Sequence, residues 1–193
     1  MQRYKHRQIL DAAGVSVALD ELAIKLHPLL GDDEVTAIPI MGGAMIFAAD
    51  LVRRLPPGLV MDFIRIQTYG DSTSPQSEPK ADWVPQPENV TGKHILLMDD
   101  ILDTGRTMNY ARNFLINEMG ASKVTVAVLI DKPARRAIDI EPDAAAIDLA
   151  EDLFLVGVGL DFKGRYRNVP NLLALETGID GMPIENEKWK ISQ

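Results

Sequence analysis

The chain contains no cysteine, which excludes disulfide staples and thiolate metal sites. Histidine is scarce: His6, His27 and His94 are the three present, and their wide separation shows no ligand spacing, so no zinc site is expected. No apolar run reaches the roughly 18 residues a membrane span needs. Positive charge is also short. Lys plus Arg number 20 against 28 Asp plus Glu, for a net charge of -8 and a pI of about 4.9. That balance argues against a nucleic-acid-binding surface, which needs a basic face. It leaves room for a small phosphorylated ligand, because a local site can be positive on an acidic protein. The basic start, Met1 to Arg7, is followed by no long apolar run and does not read as a signal peptide. A cytoplasmic protein with no membrane and no nucleic-acid partner is the expectation.

What is present is an ordinary globular composition, 46% hydrophobic and 25% charged over 193 residues. This suits a single domain over residues 1–193 with a sizeable core. No internal repeat or low-complexity tract appears. Apolar residues from Asp11 to Leu30, among them Val17, Leu19, Leu22, Ile24, Leu26 and Leu29, fall at helical spacing. Val35 to Met41 suits a buried strand, Ala44 to Leu55 a helix stopped by Pro56-Pro57-Gly58, and Leu59 to Thr68 a second strand. His94 to Met98 is a continuous apolar strand, followed by a loop and a helix from about Thr107 to Met119. Lys123 to Ile130, Leu153 to Val158 and Leu172 to Leu175 read as further strands. The alternation implies an α/β fold, a mostly parallel sheet flanked by helices, with a small strand-rich appendage formed by the last third. Residues 69–90 lack clear periodicity, and a stretch of that length inside a compact domain predicts a functional lid or a disordered loop.

The densest chemical signal is Ile95-Leu96-Leu97-Met98-Asp99-Asp100-Ile101-Leu102-Asp103-Thr104-Gly105-Arg106-Thr107. A buried strand ends in two carboxylates, and a loop with Thr, Gly and Thr enters a helix. Ligands of parallel sheets sit beyond the carboxyl ends of the strands. A helix N-terminus offers N–H donors and a favourable dipole to an anion. Gly105 lets the backbone approach a phosphate, and Thr104 and Thr107 add hydroxyls. Asp99 and Asp100 would repel that phosphate, so they suit ribose hydroxyls or a metal. A plain acidic turn with an N-cap is the bland alternative.

This stretch resembles the phosphoribosyl-pyrophosphate signature of the type I phosphoribosyltransferases. The similarity extends to the hypoxanthine-guanine phosphoribosyltransferases over roughly residues 8 to 176. It is carried by Ile38-Pro39-Ile40-Met41-Gly42-Gly43-Ala44, by Thr68-Tyr69-Gly70, by Leu129-Ile130-Asp131-Lys132-Pro133, and by Val156-Gly157-Val158-Gly159-Leu160-Asp161-Phe162 with Tyr166-Arg167-Asn168-Val169-Pro170. The resemblance implies the type I phosphoribosyltransferase fold with its strand-rich hood, and a purine-salvage reaction. Hypoxanthine or guanine and 5-phosphoribosyl-1-pyrophosphate would give IMP or GMP and pyrophosphate, with Mg2+ as cofactor and a homodimer or homotetramer as assembly.

Residue by residue, it implies that Asp99 and Asp100 bind ribose hydroxyls, metal or both, and that Asp103, Thr104, Gly105, Arg106 and Thr107 cradle the 5-phosphate. Asp103 is then the general acid/base facing N7 of the purine. Lys132 would donate to the 6-oxo group, Phe154 would lie on the purine face, and Leu155 would offer main-chain groups to the base edge. Asp161 would be the second metal carboxylate. Gly42, Gly43, Tyr69 and Arg167 would bind pyrophosphate, with residues 69–90 as the mobile catalytic loop. From the residues alone, Lys132 reads rather as a solvated turn lysine and Phe154 simply as core.

Two departures stand out. Gly42 occupies the position where the family carries a lysine, so either pyrophosphate binding is weaker or Arg167 carries more of it. Trp83-Val84-Pro85-Gln86-Pro87 replaces a more regular segment of the lid. The missing lysine keeps a second reading open, a regulator that senses phosphoribosyl pyrophosphate or nucleotides on this fold with little catalysis.

Overall fold

The computed structural model describes residues 3–68 and 79–186. In chain order the strands and helices are β1 (His6–Leu10), α1 (Ala12–Leu30), β2 (Val35–Pro39), α2 (Ala44–Val52), β3 (Val60–Met61), β4 (Arg65–Thr68), β5 (Pro79–Trp83), β6 (His94–Leu102), α3 (Arg106–Asn113), β7 (Lys123–Asp131), β8 (Ala144–Asp148), β9 (Phe154–Val156) and β10 (Leu172–Leu175). Five strands form a sheet of order β3-β2-β6-β7-β8, parallel at every pairing. The α/β architecture expected from the alternation is therefore present.

Pleating divides the central strand between two cores. Leu96 and Met98 pack with Leu19, Leu22 and Leu26 of α1 and Phe47 and Leu51 of α2. Ile95 and Leu97 pack on the opposite side with Met108, Ala111 and Leu115. Burial on both faces explains why β6 and β7 are continuous apolar runs without alternation. Helix α1 starts where Asp11 Oδ1 accepts a hydrogen bond from Gly14 N–H at 2.7 Å, an N-cap. It ends at Gly31 in a positive-φ conformation, φ 58°.

Several boundaries differ from the sequence expectation. The run from Leu59 to Thr68 is two strands. β3 joins the parallel sheet, whereas β4 leaves it to pair antiparallel with β5. Asp62 turns the chain between them, its carboxylate accepting from Phe63 N–H, Gln86 N–H and Asn89 Nδ2. Strand β5 and a 3-10 turn at Pro87–Asn89 occupy ground expected to lack regular structure. The helix expected to reach Met119 is α-helical to Asn113 and then widens into a π turn at Phe114–Glu118. Helix α2 stops at Val52, after which Arg54 and Leu55 donate back only three residues. Strands β1 and β8 were not expected.

The strand-rich appendage is a three-stranded antiparallel sheet, β1-β10-β9. It closes over its own small core of Tyr4, Val156, Phe162, Leu173 and Leu175. This sheet stands beside the carboxyl ends of β6 and β7, where Gly159 packs on Gly43 and Lys132 bonds Leu153.

Candidate active site

Strand β6 runs four residues beyond the expected Met98, because its pairing with β7 continues to Leu102 opposite Asp131. Asp99 and Asp100 therefore lie within the strand. Asp100 N–H donates to Asp99 Oδ1 at 3.0 Å. Burial pushes the Asp99 carboxyl well above the usual range, and the charge of Asp100 adds to this. Burial raises Asp100 as well, opposed by its hydrogen bond with Asp99 and by the charge of Arg167. Two carboxylates this close favour a cation or hydroxyl donors between them.

Beyond the strand, Asp103 to Thr107 curl into the start of α3. Gly105 has φ 83°, and a Cβ there would lie 2.6 Å from Ile140 Cγ2, so both backbone and space require glycine. The loop is braced from behind by the segment after β7. Thr104 C=O accepts from Ala137 N–H at 3.0 Å and Ile138 N–H at 3.2 Å. Arg136 Nη1 donates to the carbonyls of Leu102 at 2.8 Å and Asp103 at 2.6 Å, while its Nη2 pairs with Asp131. Asp103 Oδ1 is buried and makes no well-directed hydrogen bond; Arg135 Nε lies 3.1 Å away as an ion partner. Asp99 to Asp103, with Thr104, Gly105, Thr107 and Met108, line a cavity of about 260 Å³.

A larger cavity of about 1020 Å³ flanks α3 at Tyr110, Asn113 and Phe114, away from the acidic strand end. The smaller cavity is the better candidate, since carboxylates and helix N-terminal donors converge there.

The loop of Gly42 and Gly43 abuts Asp100: a Cβ on Gly43 would lie 1.5 Å from Asp100 Oδ2. From the hood, Gly159 packs so closely on Gly43 that its own Cβ would meet Gly43 C=O at 2.1 Å. Three segments distant in sequence thus meet at one point. Gly42 has φ 120° and nothing within 4 Å of a Cβ position. Arg167 Nη2 pairs with Asp161 Oδ1 at 2.7 Å, and Nη1 donates to Gly159 C=O at 2.6 Å. Asp161 Oδ2 also accepts from Gly164 N–H at 2.6 Å. In this state Arg167 is engaged by the carboxylate expected to be its metal-binding neighbour. Tyr69 and the first half of the expected lid lie outside the described residues.

At the end of β7, Lys132 is buried, 4% exposed, which excludes the solvated-turn reading. Its Nζ donates to Asp152 Oδ1 at 2.7 Å and to Leu153 C=O at 3.1 Å. Phe154 is half-buried and meets Phe162 edge-on, with centroids 5.3 Å apart. Leu155 is buried and pairs with Ala174.

Among the described residues, no three His, Cys, Asp or Glu side chains converge as a metal cage. Asp99, Asp100 and Asp161 therefore do not form one by themselves. Residues 135, 136 and 152 were missed from sequence, and Asp131 was read there without a role of its own. The doubled arginine after Lys132 was the available signal for two of them; Asp152 offered none.

The phosphoribosyl transferase domain model matches residues 6–163. A hypoxanthine-guanine phosphoribosyltransferase of Streptococcus thermophilus is 36% identical over 140 residues, 72% of this chain and 76% of that protein. The enzyme of that name from Bacillus subtilis is 35% identical, over 82% of this chain and 87% of its own. A hypoxanthine phosphoribosyltransferase structure from Staphylococcus aureus superposes with a TM-score of 0.81 at 27% identity, covering 88% of this chain and 91% of that one. A Bacillus anthracis hypoxanthine-guanine phosphoribosyltransferase gives 0.82 at 26%, covering 90% and 99%.

Proposed function

The chain belongs to the phosphoribosyl transferase domain family, within its hypoxanthine-guanine phosphoribosyltransferase group, and from that premise we propose that it is a purine-salvage enzyme. It joins hypoxanthine or guanine to 5-phosphoribosyl-1-pyrophosphate, releasing pyrophosphate and IMP or GMP. The observation that carries the specificity is the buried ammonium of Lys132, one strand across from the Asp103 loop. An ammonium offers only donors, and a 6-oxopurine presents the acceptor that adenine lacks.

In the reaction, C1 of the ribose loses its bond to the pyrophosphate oxygen as N9 of the purine bonds to C1. The proton on N7 passes to Asp103, whose Oδ1 is buried without a directed hydrogen bond. The bracing of the loop by Arg136 and Thr104 supports a preorganised 5-phosphate cradle, which suits a reaction governed by positioning and charge.

The carboxylate oxygens at the end of β6 fit Mg2+, which is commonly held by one or two carboxylates together with substrate phosphates. That use explains why no complete protein cage is needed. Bound with substrate, Mg2+ neutralises the leaving pyrophosphate. Asp99, Asp100 and Asp161 would hold it, and Arg167, Gly42, Gly43 and Tyr69 are proposed to bind the pyrophosphate. Phe154 and Leu155 border the base, and residues 69–90 act as the closing loop. A cytoplasmic homodimer or homotetramer belongs to the same proposal, checked by sedimentation.

One panel tests the function: hypoxanthine, guanine, xanthine and adenine, each with 5-phosphoribosyl-1-pyrophosphate and Mg2+, reading nucleotide formed. Nucleotide from hypoxanthine or guanine and little from adenine is expected. Folded protein making none sinks the proposal. The regulator reading receives no support from the relatives.

A further inference from the structure

We propose that Asp152 sets Lys132 for recognition of the base carbonyl and that Arg135 ties Asp152 to Asp103, making the base-recognition and proton-transfer ends of the site one ion-paired chain. The inference rests on the function proposed above and adds two residues to it.

Lys132 is buried. An ammonium removed from water needs partners, since an unpaired buried charge is costly. Lys132 has two, Asp152 Oδ1 at 2.7 Å and Leu153 C=O at 3.1 Å. An ammonium carries three N–H bonds, so one remains for a ligand, and the two engaged bonds fix where it points. Among the described residues Asp152 supplies the counter-charge paired with Lys132, yet its own side chain is 63% exposed. An exposed carboxylate on a single ion pair is held weakly. A second cation restrains it: Arg135 Nη1 lies 3.3 Å from the same Oδ1. The other edge of that guanidinium, Nε, lies 3.1 Å from Asp103 Oδ1.

The order of charges is therefore Lys132 positive, Asp152 negative, Arg135 positive and Asp103 negative. The two ends are the residues proposed to meet the purine; the two middle members are proposed to act through them. Asp152 and Arg135 are thus positioning residues. Removing Asp152 leaves Lys132 with one neutral acceptor and frees its direction. That weakens binding of a 6-oxo group and barely affects the phosphorylated sugar, which sits at the other end of the site. A surface pair that merely pinned the turn after β7 onto the hood would move both substrates together.

The test compares the intact wild-type chain with Asp152→Ala, Asp152→Glu and Arg135→Gln in steady-state kinetics, varying each substrate in turn. Asp152→Ala should raise KM for hypoxanthine by about tenfold or more, the scale of one charge-assisted hydrogen bond, and leave KM for 5-phosphoribosyl-1-pyrophosphate within about twofold. Asp152→Glu, which keeps the carboxylate, should recover most of the loss. Arg135→Gln should raise the base KM less and lower kcat, because Asp103 also loses its partner. Calorimetric titration with IMP and AMP gives the same comparison without turnover: IMP should weaken by about tenfold in Asp152→Ala and AMP by less than about twofold. A hypoxanthine KM unchanged in Asp152→Ala, or equal rises for both substrates, overturns the inference while an active wild type leaves the function standing. If the wild type makes no nucleotide from any base the function itself falls, and equal loss of IMP and AMP binding in Asp152→Ala overturns the inference there too.

Discussion

Gly43→Ala separates what is sterically cheap from what is functionally expensive. Gly43 has φ -72°, so alanine meets no backbone objection there. Its Cβ would stand 1.5 Å from Asp100 Oδ2, 2.3 Å from Cγ and 2.8 Å from Oδ1. No real contact is so short, and the carboxylate must swing aside. Moving a short side chain off its rotamer costs about 0.5–1.5 kcal/mol, so a small fall in Tm is expected. Swinging aside, however, takes Asp100 away from the ribose hydroxyls and metal it is proposed to bind. Losing one charge-assisted hydrogen bond is worth about 1.5–3 kcal/mol, which is roughly a ten- to hundredfold loss of affinity. The assay is calorimetric titration with 5-phosphoribosyl-1-pyrophosphate and Mg2+, beside a thermal melt. A melt lowered by several degrees with unchanged sugar-pyrophosphate affinity would refute the placement of Asp100 in the site.

Three further outcomes are expected. Asp103→Asn should lower kcat by about 10²–10⁴, the span of general acid–base contributions, with little change in sugar-pyrophosphate binding; an unchanged rate removes its role. Gly42→Lys should tighten pyrophosphate several-fold in a binding titration, at a cost of about 1–3 kcal/mol in unfolding free energy for a side chain at positive φ; no gain in affinity means that backbone donors already suffice. Burial lowers the His94 imidazole below its ordinary value, opposed by its hydrogen bond to Asp33. The unfolded chain therefore takes up a proton that the folded chain refuses, so stability is full above about pH 6.5 and is lost as pH falls through that value toward the folded one. Asp99, raised by burial, acts with the opposite sign, so the measurement is the difference in Tm between wild type and His94→Gln from pH 7.5 to about 5; equal slopes would deny the imidazole any part in it.

The strand-loop-helix from Ile95 to Thr107 was legible from sequence because its causes are local. A run of apolar residues needs burial on both faces, Gly105 supplies a positive φ, and an N-terminus follows within a few residues. The same holds for α1, whose N-cap and apolar periodicity lie within the helix itself. Strand β1 was not legible, since His6, Arg7 and Gln8 carry no strand pattern and become a strand only by pairing with β10. Strand β8 begins with three alanines, poor strand formers, and its register on β7 comes from burial at the sheet edge. The length of β6 likewise belongs to its neighbour, because pairing with β7 carries it past the two carboxylates.

The sequence by itself determined which side chains the strand-loop-helix offers, paired carboxylates, hydroxyls and a glycine at short spacing, because residue type and short-range backbone geometry are local properties. The tertiary structure alone decided which of them meet. It brought Gly43 against Asp100, engaged Arg167 with Asp161, set Arg136 behind the loop that follows β6, and buried Lys132 on Asp152 twenty residues away. Those contacts arise from the packing of sheet, helices and hood, and no periodicity along the chain encodes a contact between segments that only folding brings together.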